Sequence, residues 1–188
     1  MVNLVTPERG LGDLPDSAVV SSSTGPAAGS PAFDSARFRQ VLGHYPTGVV
    51  VVTAAPGGVP LGLSIGSFAS LSLDPPLVLF CPDRASSTWP RIREAGVFCA
   101  NVLAADQEEI ARAFALRGSD RYQGVGWRPS RSGSPIIHGC LAWVDCDIEE
   151  TSAGGDHHIV VGRVRDLDVE REGAPLVFFR GGYGRYSV

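Results

Sequence analysis

The chain has 188 residues, of which 44% are hydrophobic, so it is long and apolar enough for one domain with a substantial core. Its formal net charge of −4 and its isoelectric point near 5.5 argue against a nucleic-acid or anionic-membrane partner. All 16 basic residues are arginines, which excludes a Schiff-base lysine and the lysine of a phosphate-binding P-loop.

The sequence shows neither a membrane span nor an export signal. No apolar run approaches the roughly 18 residues of a span, and the N-terminus lacks a basic segment followed by an apolar one. We therefore expect a cytoplasmic protein. The cysteines form no CxxC pair, so we expect reduced core thiols and no metal site at Cys81, Cys99, Cys140 and Cys146.

The beginning of the chain differs in composition from the rest. Residues 1–32 are rich in Ser, Gly, Pro and Ala, which predicts a disordered leader, and the folded domain is predicted to span 33–188. The first predicted element is an amphipathic helix. Its apolar residues recur with the helical period at Phe38, Val41, Leu42 and Tyr45.

A hairpin is predicted next. The β-branched run Pro46–Ala55 predicts a buried strand, and the turn Pro56–Pro60 joins it to Leu61–Pro76. Within Leu61–Pro76, apolar and hydroxyl residues alternate from Phe68 on, which predicts a strand with one serine-lined face. Gly62 and Gly66 would let the backbone approach a flat ligand. An ordinary strand of small residues explains the same pattern.

In that strand, Leu71 and Leu73 are predicted to belong to the core. The later elements follow from periodicity and from helix boundary signals. Strands are predicted at Leu77–Cys81, Val97–Leu103, Cys140–Glu150 and Ala174–Phe179, with a turn followed by a long strand over 154–170 and a long polar loop over Ser119–Pro135. Short helices are predicted between Pro90 and Gly96 and after a capping box of Asp106 and Glu109. Successive strands lie close in sequence, which favours a mainly β, antiparallel barrel decorated by helices.

Two further features bear on chemistry. Arg84, Ser86 and Ser87 gather before a predicted helix, where they would suit an anion, although helix capping by Ser87 or Thr88 is the plainer explanation. His157 and His158 begin a strand and should point to opposite faces, so they cannot readily share a metal; a structural histidine is the alternative to a catalytic one. Together with the serine-lined strand, these features suggest a flat phosphorylated cofactor.

Five segments, in order along the chain, resemble the flavin reductase family, whose members supply reduced flavin to two-component monooxygenases. The resemblance covers about Phe33 to Tyr186. The segments are PTGVVVVTA at 46–54, GLSIGSFASLSLDPPLVLFC at 62–81, DRASSTWPRI at 83–92, FCANVL at 98–103 and GGDHHIVVGRV at 154–164.

This resemblance implies an FMN-binding split β-barrel of antiparallel, Greek-key-like strands, usually a homodimer with the flavin near the subunit interface. It implies that the flavin ring and ribityl chain lie against Ser64, Ile65, Ser67, Phe68 and Ser70, near Pro46 and Thr47. It implies phosphate contacts from Arg84, Ser86 and Ser87, and more loosely a role for Tyr183 and Arg185 in the tail. Asp83 stands where relatives often have Asn, so we expect either that its carboxylate points away from the phosphate or that the phosphate lies closer to Ser86.

The implied activity is hydride transfer from NADH or NADPH to FMN or FAD, and the reduced flavin then diffuses to a separate monooxygenase. His157 would position the nicotinamide or hydrogen-bond the flavin rather than act as an obligatory acid. Two alternatives stay open: a flavoenzyme of the same barrel acting directly on an organic substrate, and a non-catalytic flavin- or haem-binding barrel. The sequence does not choose between the two nicotinamides or between FMN and FAD.

Overall fold

The computed structural model describes residues 33–116 and 121–186, so the predicted leader at 1–32 lies outside the described residues. Within this part, three α-helices, a short 3₁₀ helix at Pro56–Gly58 and twelve strands form, and every strand pairing is antiparallel. The helices are α1 Ser35–Leu42, α2 Trp89–Ala95 and α3 Glu108–Ala115. The strands are β1 Thr47–Gly48, β2 Val50–Ala54, β3 Leu61–Ile65, β4 Ala69–Leu73, β5 Pro76–Phe80, β6 Val97–Val102, β7 Trp127–Pro129, β8 Pro135–Ile137, β9 Ala142–Gly154, β10 His157–Val169, β11 Leu176–Phe179 and β12 Gly182–Arg185. The mainly β, antiparallel class is confirmed. None of the described helices has the length and apolar character needed to cross a bilayer.

The main sheet has seven strands in the order β3-β2-β6-β9-β10-β5-β4. Its two edge strands are consecutive in sequence and are joined only by Gly66–Phe68, which we call the seam. A flat sheet would separate these edges by about 29 Å at roughly 4.8 Å per strand. The four residue steps from Ile65 to Ala69 span at most about 14 Å. The sheet must therefore curl, and it stays open at the seam because no described ladder pairs β3 with β4.

The core lies on both sides of β2, all of whose residues are buried. Val50 and Val52 pack into one apolar cluster, and Val51 packs into a second cluster on the other side. A strand covered on both faces reads as a continuous apolar run, which explains the unbroken valines. On β10, a Cβ at Gly162 would lie 2.5 Å from Cζ of Phe98, so the missing side chain makes room for this buried ring.

Most predicted elements form, including α1, the β2–β3 and β9–β10 hairpins, and α2 with its left-handed Gly96 cap. Two stretches hold more structure than predicted. The predicted loop Ser119–Pro135 contains β7 and runs into β8, and the tail forms β12 against β11.

Two local predictions are wrong. Leu71 and Leu73 are 48% and 90% exposed rather than buried, because β4 is an edge strand. The capping box before α3 does not form, since Asp106 pairs with Arg171 instead. Gln107 occupies the N-cap position without a side-chain cap.

Candidate functional site

A cavity of about 910 Å³ opens at the seam. The end of β3, the turn at 81–87, the start of β10, α3 and α1 all contribute to its walls. It brings together six of the residues that the sequence singled out, although they come from three distant segments. These six are Ser64, Ile65, Ser67, Ser86, Ser87 and His157.

Hydrogen bonds join the seam to the end of β5. The Ser67 hydroxyl accepts a hydrogen bond from the Cys81 amide at 2.9 Å and donates to the Cys81 carbonyl at 3.3 Å. At Gly66, a Cβ would lie 3.1 Å from Thr47 Oγ1, so the glycine lets the seam pass close to β1. These contacts place the seam beside the turn that follows β5.

That turn is organised by its own side chains. Asp83 Oδ1 accepts a hydrogen bond from the Ala85 amide at 2.7 Å, which directs one carboxylate oxygen onto the backbone. The Ser86 hydroxyl oxygen accepts from the amides of Thr88 and Trp89 at 3.3 and 3.1 Å. Thr88 occupies the N-cap position of α2 but makes no side-chain cap, so Ser86 replaces the predicted capping residues. Ser86 keeps its hydroxyl hydrogen for a ligand, since its two bonds use only lone pairs.

His157 lies beside this turn, at the start of β10. Its Nδ1 is 2.8 Å from Asp156 Oδ1, and this hydrogen bond lowers the pKa of Asp156. A β-bridge joins Asp83 to His157, so the histidine is held next to the serine-bearing turn. His158 lines a different cavity beside Trp89, as the alternation of strand side chains predicts.

Arg121 is a wall residue that sequence reasoning missed. Its guanidinium donates to Thr88 Oγ1 at 2.8 Å, to the Gly62 carbonyl, and to the Leu116 carbonyl at 2.6 and 3.0 Å. It thus links β3, the start of α2 and the end of α3, and burial lowers its pKa. The only sequence signal was its place in a long polar loop.

The structure does not bring every predicted residue to this cavity. Phe68 packs against the core, Ser70 is exposed on β4, and Arg84 lines a neighbouring cleft. Pro46 is exposed, while Thr47 lines an adjoining apolar cavity of about 450 Å³ under α1.

The two tail residues also lie elsewhere. Tyr183 packs against Phe178 and under the guanidinium of Arg112, 4.8 Å from its ring centre. Arg185 lines a small separate cavity of about 180 Å³ beside Asp106. Roles for these residues stay predictions.

The composition of the cavity wall suits a flat ligand with a polar tail. Leu63, Ile65 and Phe114 supply apolar surface for a ring system. Hydroxyls on the seam side and at the 83–88 turn, together with Arg121, supply hydrogen-bond donors and positive charge. The residues present therefore fit a flavin mononucleotide moiety, which combines an apolar ring with a hydroxylated chain and a phosphate.

A model of the flavin reductase like domain matches residues 42–187. The chain belongs to this family. It is 51% identical over 158 residues to a flavin reductase of Pseudomonas putida, covering 84% of this chain and 93% of that protein. It is 47% identical over 157 residues to the reductase subunit HsaB of a flavin-dependent monooxygenase from Rhodococcus jostii, covering 84% and 80%.

Solved structures give the same assignment. The NADH:FAD oxidoreductase SgcE6 of Streptomyces globisporus, in complex with NAD and FAD fragments, is 37% identical and superposes with a TM-score of 0.78. The superposition covers 82% of this chain and 93% of that one. The resemblance read from the sequence is confirmed.

Proposed function

We propose that this protein is an NAD(P)H-dependent flavin oxidoreductase that reduces FMN or FAD and supplies the reduced flavin to a separate monooxygenase. The observation that carries this proposal is the cavity at the seam, where Ser64–Ser67, Ser86–Ser87 and His157 converge. Membership of the flavin reductase like family supports it, as do relatives named flavin reductase and monooxygenase reductase subunit.

The proposal includes a split-barrel fold in which the flavin binds at the seam between β3 and β4. The curled sheet, open between β3 and β4, supports it. Ser64, Ile65 and Ser67 would contact the ring and ribityl chain, and Ser86 and Ser87 would bind the phosphate. The exposed seam would let flavin exchange with solvent, as a diffusible product requires.

A flavin bound here supplies the acceptor for a hydride from the reduced nicotinamide. The chain's own residues would position the reactants. Asp156 holds Nδ1 of His157, so Nε2 is the ring nitrogen left to hydrogen-bond a ligand. Arg121 would brace this wall, since it links β3 at Gly62 to Thr88 at the start of α2, and each of these residues is two positions from Ser64 or Ser86.

We also propose a homodimer. Helix α1 buries none of its residues, although an eight-residue helix needs tertiary packing for stability. Its Val41 and Leu42 are about half exposed, and Phe178 and Phe179 on β11 are about 40% exposed. An apolar surface of this kind marks an interface. Light scattering should give twice the chain mass of 19.8 kDa, and Leu42→Glu should shift the protein to monomer. A monomeric wild type would contradict this part.

The decisive experiment mixes the purified protein with free FMN or FAD and with NADH or NADPH, and follows the loss of reduced-nicotinamide absorbance. Turnover that rises with added flavin supports a reductase. Flavin that stays bound without nicotinamide oxidation would instead indicate a binding module. Bound flavin that turns over only with an added organic substrate would indicate a direct flavoenzyme.

A further inference from the structure

A second cleft lies next to the flavin cavity and has a volume of about 370 Å³. It is formed by the 84–94 segment and the start of β10. Its lining residues are Arg84, Trp89, Pro90, Arg93, Glu94 and His158. Nothing in the hydride-transfer proposal uses Arg93 or His158.

The charges in this cleft favour an anion. Among the described residues, neither Arg84 nor Arg93 pairs with a carboxylate; Arg84 donates to the Gly155 carbonyl at 3.2 Å. Elsewhere in the described chain, ion pairs with carboxylates form at Arg112, Arg128, Arg163, Arg165 and Arg171. Glu94 is the only acidic residue of the six in the wall. Two arginines and a histidine therefore remain available to phosphate oxygens.

The cleft also offers flat surfaces. His158 lies 6.1 Å from the buried indole of Trp89, centre to centre, and Pro90 follows in the same wall. The Trp89 Nε1–H is buried without a hydrogen-bond partner in the described part of the chain. An aromatic base could stack on His158, since its imidazole is only partly buried.

The two cavities share one thin wall. The Arg84 amide donates to the Asp156 carbonyl at 3.0 Å, and the His158 amide donates to the Pro82 carbonyl at 2.9 Å. Segments 82–84 and 156–158 are therefore paired side by side. Asp83 and His157 line the flavin cavity on one side of this pair, whereas Arg84 and His158 line the cleft on the other. A ligand with one phosphate at Ser86 could therefore extend across the turn into the cleft.

FMN ends at its single phosphate, but FAD continues with a second phosphate, a ribose and an adenine. We infer that the cleft of Arg84, Arg93 and His158 binds the adenylate half of FAD. This inference rests on the proposed function, which places the flavin phosphate at Ser86 and Ser87. An adenosine phosphate could also come from the nicotinamide cofactor, so the test separates the two sources.

The experiment compares binding of oxidised FAD and FMN by titration calorimetry, without nicotinamide. The variants are Arg93→Ala, His158→Ala and the double variant, and the control is Arg91→Ala, which removes an exposed arginine of α2 outside the cleft. We expect the double variant to weaken FAD binding about tenfold, as loss of charge-assisted hydrogen bonds does, with FMN binding unchanged within about twofold. Arg91→Ala should change neither.

Steady-state rates with FMN then test the other source. An unchanged KM for NADH and for NADPH in the double variant supports FAD as the ligand, since both nicotinamides carry the same adenosine diphosphate. A raised KM for both nicotinamides with unchanged FAD binding would overturn the inference in favour of the nicotinamide cofactor. Equal weakening of FMN and FAD would also overturn it, as would unchanged FAD binding. If the wild type oxidises no nicotinamide with either flavin, the proposed function itself fails, which is a distinct result.

Discussion

Two regions of this protein are similarly rich in serine, but the serines of one face an open cavity and those of the other form hydrogen bonds inside the protein. The end of β3, the seam and the turn after β5 present Ser64, Ser67, Ser86 and Ser87 to an open cavity. The turn between β7 and β8 carries its serines in SRSGS, and they turn inward. These inward hydroxyls are at Ser130, Ser132 and Ser134.

The inward serines satisfy a buried carboxylate. Asp145 is fully buried and accepts hydrogen bonds from the hydroxyls of Ser130 and Ser132 at 2.8 and 2.6 Å and from the Ser132 amide at 2.9 Å. Beside it, the buried Asn101 accepts from the Ile137 amide at 2.8 Å and donates to the Val51 carbonyl at 3.1 Å. This network attaches the β7–β8 hairpin to the main sheet.

The difference shows that serine content alone does not indicate a ligand site. Buried polar groups must find partners inside the protein, and around Asp145 they do. Ser86 also accepts bonds from the backbone, but its hydroxyl hydrogen stays available at a cavity wall. The region with remaining hydrogen-bonding capacity is the one that can bind a ligand.

The largest effect should follow from Asp145→Ala, which removes a buried acceptor of three hydrogen bonds and leaves partly buried donors at Ser130 and Ser132 without that partner. We expect the free energy of unfolding to fall by about 3 kcal/mol, measured by urea denaturation. Asp168→Ala on the exposed part of β10 is the control and should change it by less than about 0.5 kcal/mol. If Asp145→Ala kept its stability but bound flavin more weakly, the inward serines would belong to the binding site, which contradicts the role assigned to them here.

The next effect concerns His157→Ala. We expect kcat for flavin reduction to fall about tenfold with flavin affinity nearly unchanged, because the residue positions a reactant; loss of an obligatory acid typically costs about 10²–10⁴-fold. Stopped-flow reduction and a flavin titration separate the two quantities. With FMN, His158→Ala is the control. Unchanged turnover would remove His157 from the mechanism.

A smaller effect should follow from Gly66→Ala in the seam. The added methyl group would lie 3.1 Å from Thr47 Oγ1, so the Thr47 side chain or the seam must shift by a few tenths of an ångström. We expect flavin binding to weaken about threefold while stability falls by less than about 1 kcal/mol. Gly48→Ala on β1 meets nothing within 4 Å and should alter neither. A large loss of stability with normal flavin binding would show that the seam stabilises the fold and does not shape the binding site.

The smallest effect concerns thiol reactivity. Cys99, Cys140 and Cys146 are buried, and burial raises the pKa of Cys140 to about 11 and of Cys146 to about 12. Cys81 is only partly buried and lines the cavity at the seam. At pH 8 we expect one thiol to react in the native protein and four after denaturation, with bound flavin slowing the reaction of Cys81. Mass spectrometry of the alkylated protein would identify the residue.

Local chemistry made much of the fold predictable. Pro90 and Gly96 bracket α2 because proline suits a first helical turn and Gly96 adopts a φ of 70° at the cap. Six of the candidate site residues reach one cavity, because the motifs lie at strand ends and turns.

The remaining features depend on contacts distant in sequence. The edge position of β4 exposes Leu73, and no local pattern reveals which strand will be at the edge. Asp106 forms an ion pair with Arg171 instead of capping the backbone of α3. Arg121 acts through carbonyls, which carry no sequence signature.

The short connection between β3 and β4 also has a kinetic consequence. These strands are neighbours in sequence, yet the sheet closes around them only after Val50 pairs opposite Val102 and Val78 pairs opposite Gly162. Such distant pairings are slow to form, because the chain must close long loops first. We therefore expect the cavity to form late in folding, so that a flavin which binds it would distinguish fully folded molecules from those whose central strands alone have assembled.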